Sequence, residues 1–363
     1  MTANLTSVVE QILDQARWAP SGDNAQPWRF ELIDDSRFVI HGRDTRDHCI
    51  YDLDGCSSQL ALGALIETAA IAATRHGLAL EVMRRPGMPD HLPTFDVRLS
   101  PNYRLFPSPL LSAIPLRSVQ RRPLSIRTVS AHDRSALAHA LAPGYTLHWF
   151  DSAGQRLQWA ALLWSNAGLR LSLPEAFETH RGVIAWGSRF SKDRIPDQAL
   201  GADALTTRVM RAAMANWQRV AFMNRWMLGT VAPRLAMDLW PALACAAHVA
   251  LVAHEPLQGL DAQVAGGRAV QRFWLTAASL GLQHQPAATP LVFARYLRNG
   301  QAFTGDAKLT QQARQLAMRL ETMLEQQTSQ TVWLGRIGYG SPAASRSVRL
   351  DLEELLVAKP ARD

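Results

Sequence analysis

The chain has 363 residues, 47% of them hydrophobic, with 38 basic residues against 31 acidic and a net charge of +7. That length and apolar share support a core large enough for two domains or one elaborated domain, and no run of eighteen apolar residues offers a membrane span. The arginines are scattered rather than grouped into a block interleaved with aromatics, which argues against a nucleic-acid partner and suits a small anionic ligand. Cys49, Cys56 and Cys245 form no CxxC pair and read as buried thiols of a reducing compartment. Met1–Asn4 lack the basic-then-apolar layout of a signal peptide, so a cytoplasmic location is expected. HExxH, a cysteine ligand cluster and a GxSxG elbow are all missing from the sequence. No metal site and no hydrolase nucleophile is therefore expected.

An amphipathic helix opens the chain, with Leu5, Val8, Val9, Ile12, Leu13 and Ala16 on one stripe. Strands are expected at Trp28–Ile33 and Phe38–Ile40, joined through Asp34–Ser36 as a hairpin. A helix from Ser57 to His76 ends on Gly77 as its C′ residue. Strands follow at Leu78–Met83 and, with strict alternation, at Phe95–Leu99. Pro101–Pro109, with three prolines, reads as a linker. Beyond it, helices at Ala131–Ala140 and Gln155–Leu171 flank a strand at Thr146–Phe150. The apolar strand Ala246–Ala253 precedes an Ala-rich helix, Gly266–Leu280, which closes on Gly281-Leu282 much as the earlier one closes on Gly77-Leu78. The two helices look like copies of one unit, although any two buried Ala/Leu helices share that look. A helix at Ala307–Glu325, a strand at Thr331–Ile337 and a tail at Arg349–Val357 complete the pattern.

Residues 187–240 stand apart as an insert. Met210, Met214, Met223, Met227, Trp217, Phe222 and Trp226 occur there beside Arg208, Arg211, Arg219 and Arg225. The spacing predicts one long helix from Asp203 to Leu228, broken at Gly229. It is too aromatic for a plain surface helix and is expected to cover something apolar.

Four segments could carry chemistry. Within Ala19–Trp28, Ser21, Asn24 and Gln26 offer short donors and acceptors, and Pro20 and Pro27 fix the path between them; the same letters make an ordinary capped turn. Pro115–Pro123 holds Arg117, Arg121 and Arg122 with Ser118 among them. Guanidinium groups bind phosphate bidentately and a dianion needs more than one, while a solvated basic turn would look alike. Gly335–Pro342 is followed by Arg346 and Arg349. Its Gly338-x-Gly340-x-x-Ala343 imitates a dinucleotide fingerprint, but Pro342 interrupts the required helix and only 23 residues follow Gly340. Gly281–Pro286, containing Gln285 and Pro286, offers backbone donors after a helix, or simply a C-cap and a proline stop. His48 beside Cys49 lacks a third member and reads as packing or surface; Asp44-Thr45-Arg46 reads as a local ion pair or cap.

These segments resemble the nitroreductase superfamily of FMN-binding oxidoreductases. Ala19–Trp28 is similar to the family's A-PS-x-x-N-x-QPW loop, with Pro20, Ser21, Asn24, Gln26, Pro27 and Trp28 at the family's spacing; that loop lines the flavin pocket. Arg117 and Arg121 match the RRS-x-R segment that holds the FMN phosphate and ribityl chain, where the family's serine falls on Val119 and Ser118 is the adjacent hydroxyl. Gly335–Pro342 resembles the closing R-x-G-Y-P segment, whose final arginine reaches the phosphate; Arg349 is the preferred match and Arg346 the second. Gln285 and Pro286 fall in the loop near the reactive edge of the ring.

The resemblance covers roughly residues 5–186 and 241–357. It implies an α+β fold of two fused halves, 1–108 and 109–363, forming a pseudo-dimer with antiparallel-rich mixed sheets flanked by helices and a helical lid at about 187–240. Similar fused, lid-bearing proteins form a branch of the superfamily, some of them labelled molybdopterin-biosynthesis proteins. Each motif occurs once, which implies one composite FMN site. The expected donor is NADH or NADPH and the expected acceptor an electron-poor or conjugated small molecule, with no particular catalytic side chain assigned. The alternatives are a flavin-sequestering protein with a closed lid and an accessory subunit that binds a protein partner through the insert; the chain would be a monomer or homodimer.

Overall fold

The computed structural model describes residues 7–226 and 229–357. Leu5, the Met1–Asn4 segment, Met227 and Leu228 lie outside the described residues. Helix α1 (Val8–Ala16) starts at a capping box formed by Ser7 and Glu10, and it buries Val9, Ile12, Leu13 and Ala16. Strands β1 (Trp28–Leu32) and β2 (Arg37–Gly42) form the expected hairpin. Helix α2 (Cys56–Ala73) runs through a 3-10 turn to Gly77, whose φ of +65° ends it. Strands β3 (Leu78–Arg84) and β4 (Thr94–Pro101) complete an antiparallel sheet ordered β1-β2-β4-β3.

Beyond the linker come the short helix α3 (Ala113–Leu116), α4 (Ala131–His139), β5 (Tyr145–Phe150) and α5 (Ala153–Ser172). Helix α6 (Pro174–Val183) restarts at once, because Pro174 fits the first helical turn but not the end of α5. The two-residue strand β6 (Ile184–Ala185) precedes the insert, which opens with β7 (Phe190–Ser191) and β8 (Ile195–Pro196). Helices α7 (Ala204–Ala213), α8 (Trp217–Trp226), α9 (Val231–Arg234) and α10 (Trp240–Leu243) follow. The single helix expected from Asp203 to Leu228 is thus interrupted. α7 ends at Ala213, and the Asn216 side chain accepts from the Arg219 N–H to cap the next helix.

Strand β9 (Ala247–Ala253), helix α11 (Gly259–Ser279), strand β10 (Leu282–Pro286), helices α12 (Thr289–Arg298) and α13 (Ala307–Met323), and strand β11 (Thr331–Tyr339) supply the rest of a second antiparallel sheet ordered β10-β11-β9-β5. Segment 282–286, expected as a loop, is therefore a strand. After β11 come the two-residue strand β12 (Arg346–Ser347) and the short helix α14 (Leu352–Leu355), so no helix opens directly at the Gly338–Ala343 fingerprint. The fold is α+β. Among the described residues, parallel pairing is confined to β12 with β7, β6 with β8, and the single bridges Phe30–Leu356 and Val119–His284.

The helices α2 and α11, the two small-residue segments, pack against each other at the centre. A Cβ on Gly63 would lie 2.0 Å from the Val264 carbonyl oxygen, and one on Gly267 would lie 2.0 Å from that of Leu60. The backbones touch there, and only glycine leaves room. Gln271 donates to Thr68 at 2.9 Å across the crossing, and Arg268 and Arg272 pair with the buried Glu67 at 2.8 and 2.5 Å. By length and composition Cys56–His76 could cross a membrane, but most of it is buried inside this protein, as befits a core helix. The chain's tail returns to the first sheet, where Leu352 and Leu355 join the cluster of Ile12, Leu13, Trp28 and Phe30.

We predict that Gly267→Ala lowers the unfolding free energy by about 2–3 kcal/mol or more, since the helices must part to admit the methyl. Gly154→Ala, in a helix with open space around it, should be neutral or add about 0.4–1 kcal/mol. Urea unfolding of the two variants makes the comparison; equal midpoints would contradict the backbone contact.

Candidate functional site

A cavity of about 1350 Å³ is lined by eleven of the residues singled out in the sequence: Pro20, Ser21, Asn24, Gln26, Arg117, Ser118, Arg121, Gln285, Pro286, Arg346 and Arg349. The helix pair contributes Ser57, Ser58, Leu60, Ala61 and Ala64 from α2 and Val270 and Trp274 from α11.

The 19–28 segment is not an ordinary capped turn. Asp23, Asn24 and Gln26 have φ values of +50°, +64° and +48°, a left-handed conformation unusual for three non-glycine residues in four. The surroundings impose it. Ser21 Oγ accepts from the Gln26 N–H at 2.9 Å, Asn24 Nδ2 donates to the carbonyls of Lys192 at 2.9 Å and Val348 at 3.1 Å, and Gln26 Nε2 donates to Lys192 O at 2.8 Å. Gln26 Oε1 accepts from the Leu350 N–H at 3.0 Å. The two amides thus tie the loop to the base of the insert and to the tail. Asn24 Oδ1 is buried without a partner.

Three guanidinium groups gather without an acid. Arg117 and Arg349 are 7% and 6% exposed, and neither they nor Arg346 pair with a carboxylate among the described residues. Arg349 donates to Ala19 O at 2.8 Å and to Val348 O at 2.9 Å, and Arg346 donates to Pro115 O at 2.6 Å. Arg117 Nε has no hydrogen-bond partner among the described residues, and the guanidinium stands over the Trp274 ring at 5.3 Å. Burial, and then the neighbouring Arg346, push Arg117 down to about 10. Burial and the charges of Arg117, Arg346 and Arg17 hold Arg349 well below the ordinary arginine range. Mutual repulsion among buried cations is what a dianion would relieve.

The remaining motif residues take distinct places. Arg121 lines the cavity and donates to Ala199 O at 3.2 Å, whereas Arg122 is exposed. Ser118 borders the cavity with no hydrogen bond from its hydroxyl among the described residues, while Val119 is taken up in the bridge to His284. Gln285 lies on β10, its Oε1 accepting from Arg336 Nε at 2.8 Å; Arg336 also donates to the carbonyls of Gln120 and Arg122 and so braces the arginine segment.

A second cluster in the same cavity escaped sequence reasoning. Tyr51 Oη lies 2.8 Å from His180 Nε2, Arg170 stands 3.5 Å from Asp238, and Cys49 Sγ is 3.9 Å from Asp23. Burial pushes the Tyr51 phenol up, moves the Cys49 thiol to about 12, and with Arg170 holds His180 neutral, down to about 3. Burial also raises Asp23 and Asp238 despite adjacent arginines. These groups come from the 3-10 turns at 22–24 and 50–52, α5, α6 and the π-helical turn at 235–239, so no local spacing signals that they meet. Cys49 and Cys56 prove half-buried, and only Cys245 is fully buried. His48 is on the surface, and Asp44 pairs with Arg46 at 2.5 Å.

Residues 6–54 match the model of the Nitroreductase family. The match spans α1, the strained loop and the β1–β2 hairpin, a shorter stretch than the motif resemblance covers. It supports a relationship to the nitroreductase superfamily and, in general terms, a flavin-dependent oxidoreductase. No curated protein gives a significant match to the chain.

His248 and His284, 2% and 1% exposed, are buried neutral. Burial pushes them down to about 4 and about 3. Unfolding frees each to bind a proton below about pH 6.5, so their stability contribution is full above that pH and is lost as pH falls toward 3–4. Near pH 5 each histidine should steepen the loss by on the order of 1 kcal/mol per pH unit. Comparing wild type with His284→Gln by urea unfolding at pH 5 and 7 isolates one such contribution; parallel pH profiles would contradict it.

Proposed function

We propose that this protein is an FMN-dependent oxidoreductase that takes electrons from NADH or NADPH at one composite flavin site and passes them to an electron-poor or conjugated small molecule. The observation that carries this reading is the convergence of Arg117, Arg346 and Arg349, free of carboxylates, on the cavity walled by the Ala19–Trp28 loop. The orphaned Arg117 Nε and Asn24 Oδ1 fit a ligand rich in oxygen acceptors and polar ring edges. The volume exceeds the usual 300–1,000 Å³ of a single-ligand pocket, leaving space for a second molecule beside the flavin.

Bound FMN would supply the hydride and electron chemistry, to which a protein adds position and electrostatics. In this reading Arg117, Arg346 and Arg349 hold the phosphate, and Ser118 offers its hydroxyl to the ribityl chain. Met210, Met214 and Met237 of the insert line the cavity and would exclude water from the ring. Tyr51 keeps its proton and, oriented by His180, is placed to donate a hydrogen bond to a substrate oxygen. The chain would comprise two fused halves, 1–108 and 109–363, as a pseudo-dimer of the reducing cytoplasm.

Flavin retention tests the reading. Purified protein should carry one FMN per chain, and Arg117→Glu and Arg349→Glu should each weaken retention by roughly 10- to 150-fold, the loss of about 1.5–3 kcal/mol from a charge-assisted contact. Two FMN per chain, or full retention by both variants, would overturn the assignment.

The same three methionines favour a second reading, a flavin store whose insert closes over the ring. Anaerobic addition of reduced nicotinamide separates the two. An enzyme's flavin band should bleach within the millisecond-to-second range set by lid motion and turnover, whereas a store should resist nicotinamide and yield only to dithionite.

A further inference from the structure

The outer surface of the insert differs from the rest of the molecule. Between Asp203 and Asp238 the sequence has no acidic residue, while Arg208, Arg211, Arg219, Arg225 and Arg234 supply most of the net +7. On α7, Leu205, Val209 and Ala212 recur at helical spacing on one face, with Leu205 70% and Val209 47% exposed. On α8, Phe222 and Trp226 lie one turn apart at 58% and 68% exposed. A shallow apolar groove between the two helices is bordered by Val209, Phe222 and Met223. Arg208, Arg211, Arg219 and Arg225 are exposed and have no ion-pair partner among the described residues. The stripe is not the face that covers the core, because Met210 and Met214, on the other side of α7 or at its end, are the residues that reach the cavity.

We propose that α7 and α8 form a docking surface for an anionic lipid bilayer. Large apolar side chains bordered by arginines, with Trp226 among them, match a helix lying in the interface plane, apolar face down and cations toward the headgroups. Charge selects this occupant. A second copy would set arginine against arginine and be repelled, whereas each basic residue near an anionic leaflet contributes about a fivefold gain in binding. No acidic residue on the pair opposes that attraction. Attachment of this kind is peripheral and requires no helix to cross the bilayer.

Co-sedimentation of the full chain with vesicles tests the proposal, using phosphatidylglycerol mixed with phosphatidylcholine against phosphatidylcholine alone. Wild type should partition at least tenfold better to the anionic vesicles, and the preference should shrink with salt. R208E/R219E should lose about 25-fold or more, and F222S/W226S should lose binding while leaving the thermal midpoint unchanged, because these side chains are already exposed. Iodide quenching of tryptophan fluorescence should fall when wild type binds vesicles and change less for W226F, a readout that does not depend on charge. The proposal is overturned if wild type ignores anionic vesicles, or if the charge-reversed variant binds them equally well. Retention of wild type on immobilised polyglutamate without vesicle binding would also overturn it and assign the surface to an acidic protein.

Discussion

The backbone contact between α2 and α11 is the constraint on which the rest of the molecule depends. Glycines at 63 and 267 let two helices approach until carbonyl oxygens meet the opposing chain, and each helix then presents a face to the cavity. Ser57, Leu60 and Ala64 on one and Val270 and Trp274 on the other line it. Widening the crossing by one methyl would move both faces together. The strongly coupled elements, Gln271 with Thr68 and the two arginines with Glu67, lie beside this crossing and fix its register.

Against that rigid centre, the arginine cluster is a cost. Burying a cation without a carboxylate is expensive, typically several kcal/mol per ion, and the carbonyls of Ala19, Pro115 and Val348 offset only part of it. Structures that keep such groups at the expense of stability generally do so at sites of function. The second cluster is arranged differently. Arg121 and Arg170 face Asp23 and Asp238, so its cations and acids balance, and Tyr51 and His180 are neutral there. The cavity thus joins a region suited to a dianion with one suited to an uncharged polar group.

Much of this was legible in the sequence where the signal was local. Ser21, Asn24 and Gln26 stand within six residues, and Arg117 and Arg121 within five, so a short window holds their chemistry. Helix α1 follows from its amphipathic stripe, β4 from alternation, and the end of α2 from Gly77. What escaped was set by tertiary context. Leu282 and His284 alternate inward because β11 pairs beside them, which turns an apparent C-cap and proline stop into a strand. The break in the insert helix did have a local sign, Asn216 in capping position, but the Met and aromatic spacing ran through it unbroken. Gly266-Gly267 looked like a helix start and lies inside α11, because the requirement for glycine comes from the partner helix. No periodicity could bring Tyr51 to His180, 129 residues away.

The hydrogen bonds that strain the 19–28 loop also determine where the insert can bend. Lys192 O holds the side chains of both Asn24 and Gln26, and the Asp197 carboxylate accepts from the N–H groups of Gly187 and Ser188 at 2.7 and 3.1 Å. The stretch from 187 to 197 is therefore clamped as a pedestal, and swinging it would release a loop held in a left-handed backbone. Any hinge must lie beyond Asp197. Gly201, with φ of +93° and packed against Arg121, is the first glycine past the clamp, and glycine is the residue type that tolerates a wide change of backbone angle. Rotation there would carry α7 and its methionines as a rigid arm while the pedestal and the loop beneath it stayed in place.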